Sequence, residues 1–257
     1  MTKILLSGCL GRMGRAVTEA VAAHPDRFTI VGGVDIGAST GAVLPFPVYA
    51  ALSEIPESAE RPDVIVDFSH HSALPSLLEY GTRLGLPLVI ATTGHTEEEL
   101  SAMQEASKSA AIFFSRNMSL GINLLILLCR KAAAILGDDF DIEIIEKHHS
   151  KKLDAPSGTA LMLANAIREE FPEGKDYVFD RSQVRKTRDT REIGIHAIRG
   201  GTIVGEHDVL FAGKDEQITI AHAATSREVF ATGALKAAEF MVGKGNGMYD
   251  MNGLLSD

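Results

Sequence analysis

The chain has 257 residues, of which 45% are hydrophobic and 23% are charged, so it is long enough for two globular domains and its composition excludes a largely disordered protein. Its formal net charge of −9 argues against a nucleic-acid surface, because phosphate binding needs a basic field. Cys9 and Cys129 form neither a disulfide framework nor a metal-ligand spacing, as is typical of a reducing compartment. The apolar run from Leu124 to Cys129 is too short to cross a bilayer. We therefore expect a cytoplasmic protein with no metal, membrane segment or nucleic-acid partner.

The first part of the chain, up to about Asn117, alternates short apolar runs with helical stretches. Helical periodicity covers residues 12–23 and 73–84, and another helix follows Thr96, which forms a capping-box pattern with Glu99. The strand-like runs are residues 3–7, 28–34, 64–68, 88–91 and 112–114. Alternation of this kind predicts an α/β fold with a parallel sheet and helices on both of its faces.

The second part begins with a long apolar helix over residues 120–136, followed by a half-exposed strand at 141–144 and a helix from Ser157 to about Glu170. Three strand-like runs then follow without helices between them, at residues 193–198, 203–211 and 217–222. This order predicts a mostly antiparallel sheet with one open face, onto which another copy of the chain could pack. The charged stretch 174–192 is expected to be a mobile surface loop.

A glycine-rich loop lies directly after the first predicted strand and opens the first helix, with the sequence Gly8-Cys9-Leu10-Gly11-Arg12-Met13-Gly14. Glycines bring backbone amides close to a pyrophosphate, and the start of the helix adds partial positive charge. The spacing is G-x-x-G-x-x-G, whereas the common dinucleotide fingerprint is G-x-G-x-x-G. A tight strand-to-helix connection without a ligand is the alternative interpretation.

Asp35 ends the second predicted strand, where an acidic side chain can accept hydrogen bonds from the hydroxyls of an adenosine ribose. The alternative is a simple turn residue, since Gly37 follows closely. Residue 36 is Ile, and no Arg or Lys stands nearby to bind a 2′-phosphate. We therefore expect NADH to be used at least as well as NADPH.

Histidines and lysines are concentrated in one predicted loop between a strand and a helix, with the sequence Glu146-Lys147-His148-His149-Ser150-Lys151-Lys152-Leu153-Asp154-Ala155-Pro156-Ser157-Gly158-Thr159-Ala160. The side chains supply proton donors and positive charge, and the helix start at 156–159 can hold a carboxylate. A doubly charged anion would therefore be bound from two sides. A solvated charged surface and a partial metal site are the alternatives.

The glycine loop and the His-His-x-x-Lys-x-Asp-Ala-Pro-Ser-Gly-Thr-Ala run resemble dihydrodipicolinate reductase, also called 4-hydroxy-tetrahydrodipicolinate reductase. The likeness extends over essentially the whole chain and includes Val66-Asp67-Phe68-Ser69, Ala91-Thr92-Thr93-Gly94, Asn117-Met118-Ser119-Leu120-Gly121 and Ile203-Val204-Gly205-Glu206-His207. It implies a Rossmann-like dinucleotide-binding domain over 1–117 plus 226–257. A mixed α/β domain over 118–225 would bind substrate and carry an open sheet that forms a homotetramer.

The resemblance also implies roles for individual residues. It places the pyrophosphate on Gly8, Cys9, Leu10, Gly11, Arg12 and Met13, the ribose on Asp35, and Phe68 in the cofactor cleft. It places the nicotinamide beside two segments, Ala91, Thr92, Thr93 and Ser115, Arg116, Asn117, Met118. On the substrate side it implies His148 and Lys152 as proton donors and His149, Gly158 and Thr159 as ligands. Two positions depart from the family pattern: Ala91 stands where Gly is usual, and His70 where some relatives carry Arg.

The implied reaction is the NADH- or NADPH-dependent reduction of a small dianionic cyclic imine, (2S,4S)-4-hydroxy-2,3,4,5-tetrahydrodipicolinate, to (S)-2,3,4,5-tetrahydrodipicolinate, in diaminopimelate and lysine biosynthesis. We expect the two domains to close around the ligands. Another dehydrogenase of the same architecture is one alternative, which the His-His-x-x-Lys run disfavours. A dinucleotide-sensing regulator without turnover is the other, although the sequence contains no basic helix or tail that would bind DNA.

Overall fold

The computed structural model describes residues 1–38 and 43–256. The strands are β1 (Thr2–Ser7), β2 (Phe28–Val34), β3 (Val48–Tyr49), β4 (Val64–Asp67), β5 (Leu88–Ile90), β6 (Ala111–Phe114), β7 (Asp141–His148), β8 (Asp176–Val178), β9 (Glu192–Arg199), β10 (Gly205–Ala212), β11 (Gln217–Ala224) and β12 (Gly247–Tyr249). The α-helices are α1 (Arg12–Ala22), α2 (Leu74–Leu84), α3 (Glu97–Ala106), α4 (Leu120–Leu136), α5 (Gly158–Arg168), α6 (Glu228–Met241) and α7 (Met251–Ser256).

The chain forms two compact units. Unit 1 comprises Met1–Leu120 and Arg227–Asp257, and unit 2 comprises Gly121–Ser226. The boundaries expected from the sequence, 117/118 and 225/226, lie within three residues of these. Unit 2 is thus an insertion into the sequence of unit 1.

Unit 1 is built on a parallel sheet with the strand order β12-β6-β5-β4-β1-β2-β3. Neighbouring side chains of β1 alternate between its faces: Ile4 packs in a core with α1 and α6, and Leu5 in a second core with α2 and α3. Both faces are therefore covered, as a parallel sheet requires, and the predicted Rossmann-like arrangement is confirmed. The edge strands β3 and β12 were not predicted, because two or three residues carry no periodic signal.

Unit 2 is built on a mixed sheet with the strand order β11-β10-β7-β9-β8. The expectation of a mostly antiparallel sheet was wrong, because β7 pairs with β9 and β8 with β9 in parallel. The sequence neighbours β9 and β10 form no hairpin; instead β10 pairs antiparallel with the other edge of β7. One face of β7 is buried, and its Ile142 and Ile144 pack in the same core as Leu163 of α5.

The charged stretch 174–192 does not form the expected mobile loop, since it contains β8 and is ion-paired to the sheet. Arg181 and Arg188 bind the carboxylate of Glu143 at 2.8 and 2.9 Å, and Lys186 binds Glu192 at 2.6 Å. Arg181, Lys186 and Arg188 therefore have specific partners on β7 and β9.

Helix α4 with the turn after it (Leu120–Asp139) is long and apolar enough to cross a membrane by length and composition, the one such helix within residues 1–38 and 43–256. In the sequence analysis the apolar segment was judged from the run 124–129 alone, and the expectation that the segment is too short to cross a membrane was therefore wrong. Side chains at helical spacing pack into the core of unit 2: Ile122, Leu125, Cys129 and Ala133.

Candidate active site

The glycine loop between β1 and α1 requires glycine at two positions. Gly8 has φ of +76°, and a Cβ there would lie 2.6 Å from the carbonyl oxygen of Phe68. A Cβ at Gly14 would lie 2.3 Å from the carbonyl oxygen of Gly8. Gly11 is the N-cap of α1 and has no side chain to bond the first amides of the helix. The loop therefore presents backbone amides and a helix start in the form that binds a pyrophosphate.

A cleft of about 630 Å³ in unit 1 is lined by residues of this loop together with Asp35 and Phe68. Asp35 Oδ2 accepts a 3.0 Å hydrogen bond from the Leu10 amide, and Oδ1 accepts a 2.9 Å bond from the Gly37 amide. The carboxylate thus ties the end of β2 to the glycine loop. Each oxygen keeps acceptor capacity for a ribose hydroxyl, so these residues fit a dinucleotide.

The other side chains of the loop differ in exposure. Cys9 is fully buried, and a Cβ at Gly33 would lie 2.6 Å from its sulfur. Burial, with a smaller contribution from the charge of Asp35, raises the pKa of the Cys9 thiol to about 11. Cys9 can therefore contribute its backbone to a ligand but not its thiolate, whereas Arg12 is exposed and Met13 is partly buried.

The two segments expected beside a nicotinamide follow neighbouring strands of the parallel sheet. Ala91 continues β5 and Ser115 continues β6, whose last residues Ile90 and Phe114 are paired. Ala91 and Thr92 are buried, whereas Thr93 is exposed. Carboxyl ends of adjacent parallel strands are where α/β proteins bind ligands. The structure therefore brings these segments together at one edge of the sheet.

Residues 115–118 form a compact turn between β6 and α4. The Ser115 hydroxyl donates a 2.8 Å hydrogen bond to the carbonyl oxygen of Asn117, and the Ser119 amide donates a 2.9 Å bond to Asn117 Oδ1. Met118 is buried, and its carbonyl oxygen would lie 1.7 Å from a Cβ at Gly233 of α6. Arg116 alone of these four is exposed. Side-chain bonds therefore fix the shape of this turn.

In unit 2 the proposed proton donor His148 lies at the end of β7 and is bound to a carboxylate. Its Nδ1 is 2.6 Å from Glu146 Oε2, and Glu146 is fully buried. Burial lowers the pKa of His148, and this outweighs the hydrogen bond from Glu146, which acts in the opposite direction. Burial and the buried carboxylate thus act in opposite directions on the protonation of His148.

Arg199, the last residue of β9, forms a bidentate pair with Glu146, each of its terminal nitrogens lying 2.7 Å from one carboxylate oxygen. The Ser157 amide donates a further 3.0 Å hydrogen bond to Glu146. Burial raises the pKa of Glu146, but the bonds from Arg199, His148 and Ser157 outweigh burial, so the pKa lies below its usual value. The carboxylate is therefore ionised and fixed between strands and helix start.

Lys152 and His149 belong to the loop between β7 and α5, and His207 lies on β10, which pairs with β7. Lys152 Nζ lies 2.8 Å from Asp154, and the His207 ring lies 5.3 Å from the His148 ring. His207 Nε2 is 3.0 Å from the hydroxyl of Ser157. His149 is partly buried, and within the described residues its Nδ1 has no hydrogen-bond partner. Positive charge and proton-carrying groups are therefore concentrated in this loop.

Helix α5 begins at Gly158 and Thr159, the residues expected to hold a substrate carboxylate. Ser157 is its N-cap, and its hydroxyl accepts a 3.1 Å hydrogen bond from the Ala160 amide. Gly158 is exposed, with open space where a Cβ would stand. The start of the helix is thus accessible to an anion.

The candidate cofactor residues all lie in unit 1 and the candidate substrate residues all lie in unit 2. No role was predicted from the sequence for Glu146, Arg199 or His207, and Ser157 was expected only as part of the helix start that holds a carboxylate. One signal was available: the period-two alternation of β7 places Glu146 and His148 on the same buried face. The contacts of Arg199 and His207 depend on strand pairing that the sequence does not reveal. No group of three metal-ligating side chains occurs in the described part of the chain.

Comparison with known proteins yields one family over both units. The family models described as "Dihydrodipicolinate reductase, N-terminus" and "Dihydrodipicolinate reductase, C-terminus" match residues 2–118 and 121–255. The chain is 52% identical over 255 residues to the 4-hydroxy-tetrahydrodipicolinate reductase of Caldanaerobacter subterraneus, covering 99% of this chain and 98% of that protein. It is 51% identical over 256 residues to the enzyme of the same name from Clostridium tetani, covering 100% of this chain and 98% of that protein.

A solved structure also matches over nearly the full length. The dipicolinate-bound dihydrodipicolinate reductase from Paenisporosarcina sp. TG-14 superposes with a TM-score of 0.81 at 25% sequence identity, covering 98% of this chain and 99% of that chain. The likeness therefore covers the elements of unit 1 and the elements of unit 2.

Proposed function

This chain belongs to the dihydrodipicolinate reductase family, and we propose that it reduces (2S,4S)-4-hydroxy-2,3,4,5-tetrahydrodipicolinate to (S)-2,3,4,5-tetrahydrodipicolinate with NADH or NADPH, in diaminopimelate and lysine biosynthesis. The observation that carries the proposal is in the loop between β7 and α5: Glu146 binds both His148 and the Ser157 amide at the exposed start of α5, and Lys152 lies in the same loop. This arrangement suits a small ring that carries two carboxylates.

The glycine loop, Asp35 and Phe68 would hold the dinucleotide in the cleft of unit 1, and residues 91–93 and 115–118 would border its nicotinamide. Support comes from the close approach that Gly8 and Gly14 permit and from the position of Asp35 in the cleft wall. When bound, the dinucleotide supplies the hydride. We propose that NADH serves at least as well as NADPH, because Asp35 repels a 2′-phosphate and its neighbour Ile36 carries no compensating charge.

We assign the substrate carboxylates to two groups of unit 2. Gly158 and Thr159 would bind one carboxylate through the helix start, and His149 with Lys152 would bind the other side of the ring. Anions are stabilised at a helix start by its partial positive charge and by amides that have no partner within the helix.

The reaction consumes one hydride and one proton and releases one water. Loss of the hydroxyl with a ring proton gives a conjugated imine, and hydride addition to a ring carbon leaves an enamine that must be protonated. We assign the transfer of this one proton to the pair His148 and Lys152, and the positive charge of the pair stabilises the negative charge that develops on the ring nitrogen. General acid catalysis of this kind contributes about 10²–10⁴-fold.

We propose that the enzyme is a cytoplasmic homotetramer that assembles through the face of the unit 2 sheet opposite α5. That face presents Ile145, Leu210 and Ala221 together with the ion pair of Lys147 and Glu206. Its mixture of apolar and paired charged groups is compatible with contact to another copy.

One assay separates this proposal from its alternatives, a related dehydrogenase and a sensing regulator without turnover. The oxidation of NADH is followed by the loss of its near-ultraviolet absorbance, with freshly made product of dihydrodipicolinate synthase as substrate. The proposal requires oxidation that depends on both the substrate and the enzyme. No oxidation with this substrate would contradict it, whereas binding of NADH without turnover would favour the regulator.

A further inference from the structure

We propose that Glu146 is the positioning residue that holds His148 with Nδ1 toward the buried carboxylate and Nε2 toward the substrate. The inference rests on the proposed function, because it concerns the residue to which that function assigns protonation. The new element is that Nε2 of His148 delivers the proton, and that Glu146 and its hydrogen-bond partners determine which nitrogen does so.

The carboxylate of Glu146 receives four hydrogen bonds and is fully buried. Oε1 accepts from the Ser157 amide at 3.0 Å and from Arg199 at 2.7 Å, and Oε2 accepts from Arg199 at 2.7 Å and lies 2.6 Å from His148 Nδ1. Arg199 and a backbone amide can only donate. Glu146 is therefore an ionised acceptor in a fixed orientation.

An ionised carboxylate requires a proton on the nitrogen that faces it, so Nδ1 of His148 carries one in the neutral ring. Nε2 is then the nitrogen that gains and loses the second proton. When the imidazolium transfers the Nε2 proton to the enamine, the N–H bond of His148 breaks and a C–H bond forms on the substrate ring. The neutral ring that remains keeps its hydrogen bond to Glu146 and takes up its next proton from solvent.

Space beside Nε2 depends on the residue at position 205. Gly205 begins β10, and a Cβ there would lie 3.1 Å from Nε2 of His148. This distance is tighter than most Cβ contacts, so a side chain would press on the nitrogen or displace the ring. Glycine at this position therefore leaves Nε2 room for a partner.

The charged and titratable groups that face His148 are Glu146 on its own strand, Arg199 on β9, Lys152 in the loop and His207 on β10. Burial lowers the pKa of His148 most, Glu146 raises it, and Lys152 and Arg199 lower it. Removing the charge of Glu146 leaves only effects that lower this pKa. The protonated form of His148 then disappears at a lower pH.

The test compares Glu146→Gln with Glu170→Gln, a matched change at a partly buried glutamate after α5 that is ion-paired to Arg130 at 2.6 Å and has no proposed role. We expect Glu146→Gln to lower kcat at pH 7 by about tenfold or more, to change the substrate KM less than about threefold, and to move the alkaline fall of kcat to lower pH. Glu170→Gln should leave kcat and its pH profile unchanged. A wild-type profile in Glu146→Gln would overturn the inference.

Nitrogen NMR of the histidine side chains in the wild-type enzyme gives a second measurement that does not depend on the stability of a variant. We expect neutral His148, assigned by the loss of its signals in His148→Gln, to carry its proton on Nδ1. A proton on Nε2 would overturn the inference. Normal turnover of His148→Gln would instead contradict the proposed role of His148 itself, so the two failures are distinguishable.

Discussion

The hydroxyl of Thr92 donates a 2.6 Å hydrogen bond to the carboxylate of Asp67, which is 2% exposed. Asp67 ends β4, and Thr92 belongs to the segment after β5 that is proposed to border the nicotinamide. The hydroxyl and amide of Ser69 bind the other oxygen of the same carboxylate. A buried charge thus connects the loops that follow two neighbouring strands.

Thr92→Val should destabilise unit 1, because Asp67 would keep its buried charge and lose a donor. A lost hydrogen bond to a charged group costs roughly 1.5–3 kcal/mol, and we expect the free energy of unfolding in urea to fall by about that amount. Thr93→Val is the matched control, since Thr93 is exposed. Equal effects of the two substitutions would argue against the importance of this bond.

His148→Gln and Lys152→Ala should each lower kcat by about a hundredfold or more, because each removes a proposed proton donor. Binding of NADH should stay nearly unchanged, since the proposed cofactor residues lie in unit 1. Steady-state kinetics and a fluorescence titration with NADH measure the two effects. Lys151→Ala serves as the control, because Lys151 is exposed in the same loop; near-normal turnover in both test variants would refute the assignment.

Thr159→Val should raise the substrate KM by about tenfold, the effect of losing roughly 1.4 kcal/mol of binding, and should lower kcat much less. The reason is that Thr159 is proposed to hold a carboxylate and not to transfer a proton. Initial rates over a range of substrate concentrations distinguish the two parameters. An unchanged KM would contradict the proposed carboxylate site at the start of α5.

Asp35→Asn should shift cofactor use toward NADPH, because it removes the negative charge that would repel a 2′-phosphate while retaining an oxygen for the Leu10 or Gly37 amide. We expect the ratio of kcat/KM for NADPH over NADH to rise by about tenfold, equivalent to roughly 1.4 kcal/mol. In the wild-type enzyme the same ratio should not exceed one. A strong NADPH preference of the wild type would contradict the proposed role of Asp35.

Acid should destabilise the protein through His207, whose pKa burial and the nearby His148 lower to about 4. This folded-state pKa lies below the unfolded value of about 6.5. The neutral His207 ring therefore contributes its full stabilisation of the folded state above about pH 6.5, and this stabilisation is lost as the pH falls toward 4. One pKa unit corresponds to about 1.4 kcal/mol, so the loss is on the order of 3 kcal/mol. Denaturant titrations of His207→Gln between pH 7 and 4 should show a weaker pH dependence than the wild type.

The exposed His24 provides the control for that experiment. His24→Gln should keep the wild-type dependence of unfolding free energy on pH. An unaltered dependence in His207→Gln would show that the acid sensitivity comes from other groups.

The sequence predicted the features that local pattern encodes. Alternating runs and helices predicted the parallel sheet of unit 1, and the Thr96–Glu99 capping box is present at the start of α3. The sequence also predicted that the segment with His148 and Lys152 connects a strand to a helix, and it does connect β7 to α5. These predictions depend on residues that lie close together in the chain.

Features that depend on distant pairing could not be predicted in the same way. Glu146 and Arg199 are 53 positions apart, and their contact requires β7 and β9 to be parallel neighbours. The consecutive runs that form β9 and β10 were expected to belong to a mostly antiparallel sheet, but β9 pairs parallel with β7, and β10 pairs with the other edge of β7. Burial of a charged residue such as Glu146 becomes intelligible only when its partner is known.

The insertion of unit 2 into unit 1 has a consequence for synthesis on the ribosome. Helix α6 and strand β12, which complete the core and one edge of the parallel sheet, are made after residue 226. Unit 2 is complete in sequence before these elements emerge, so it can fold while unit 1 still lacks them. The first 120 residues cannot complete their core until α6 is made, and the apolar side chains that α6 later covers stay open to aggregation until then.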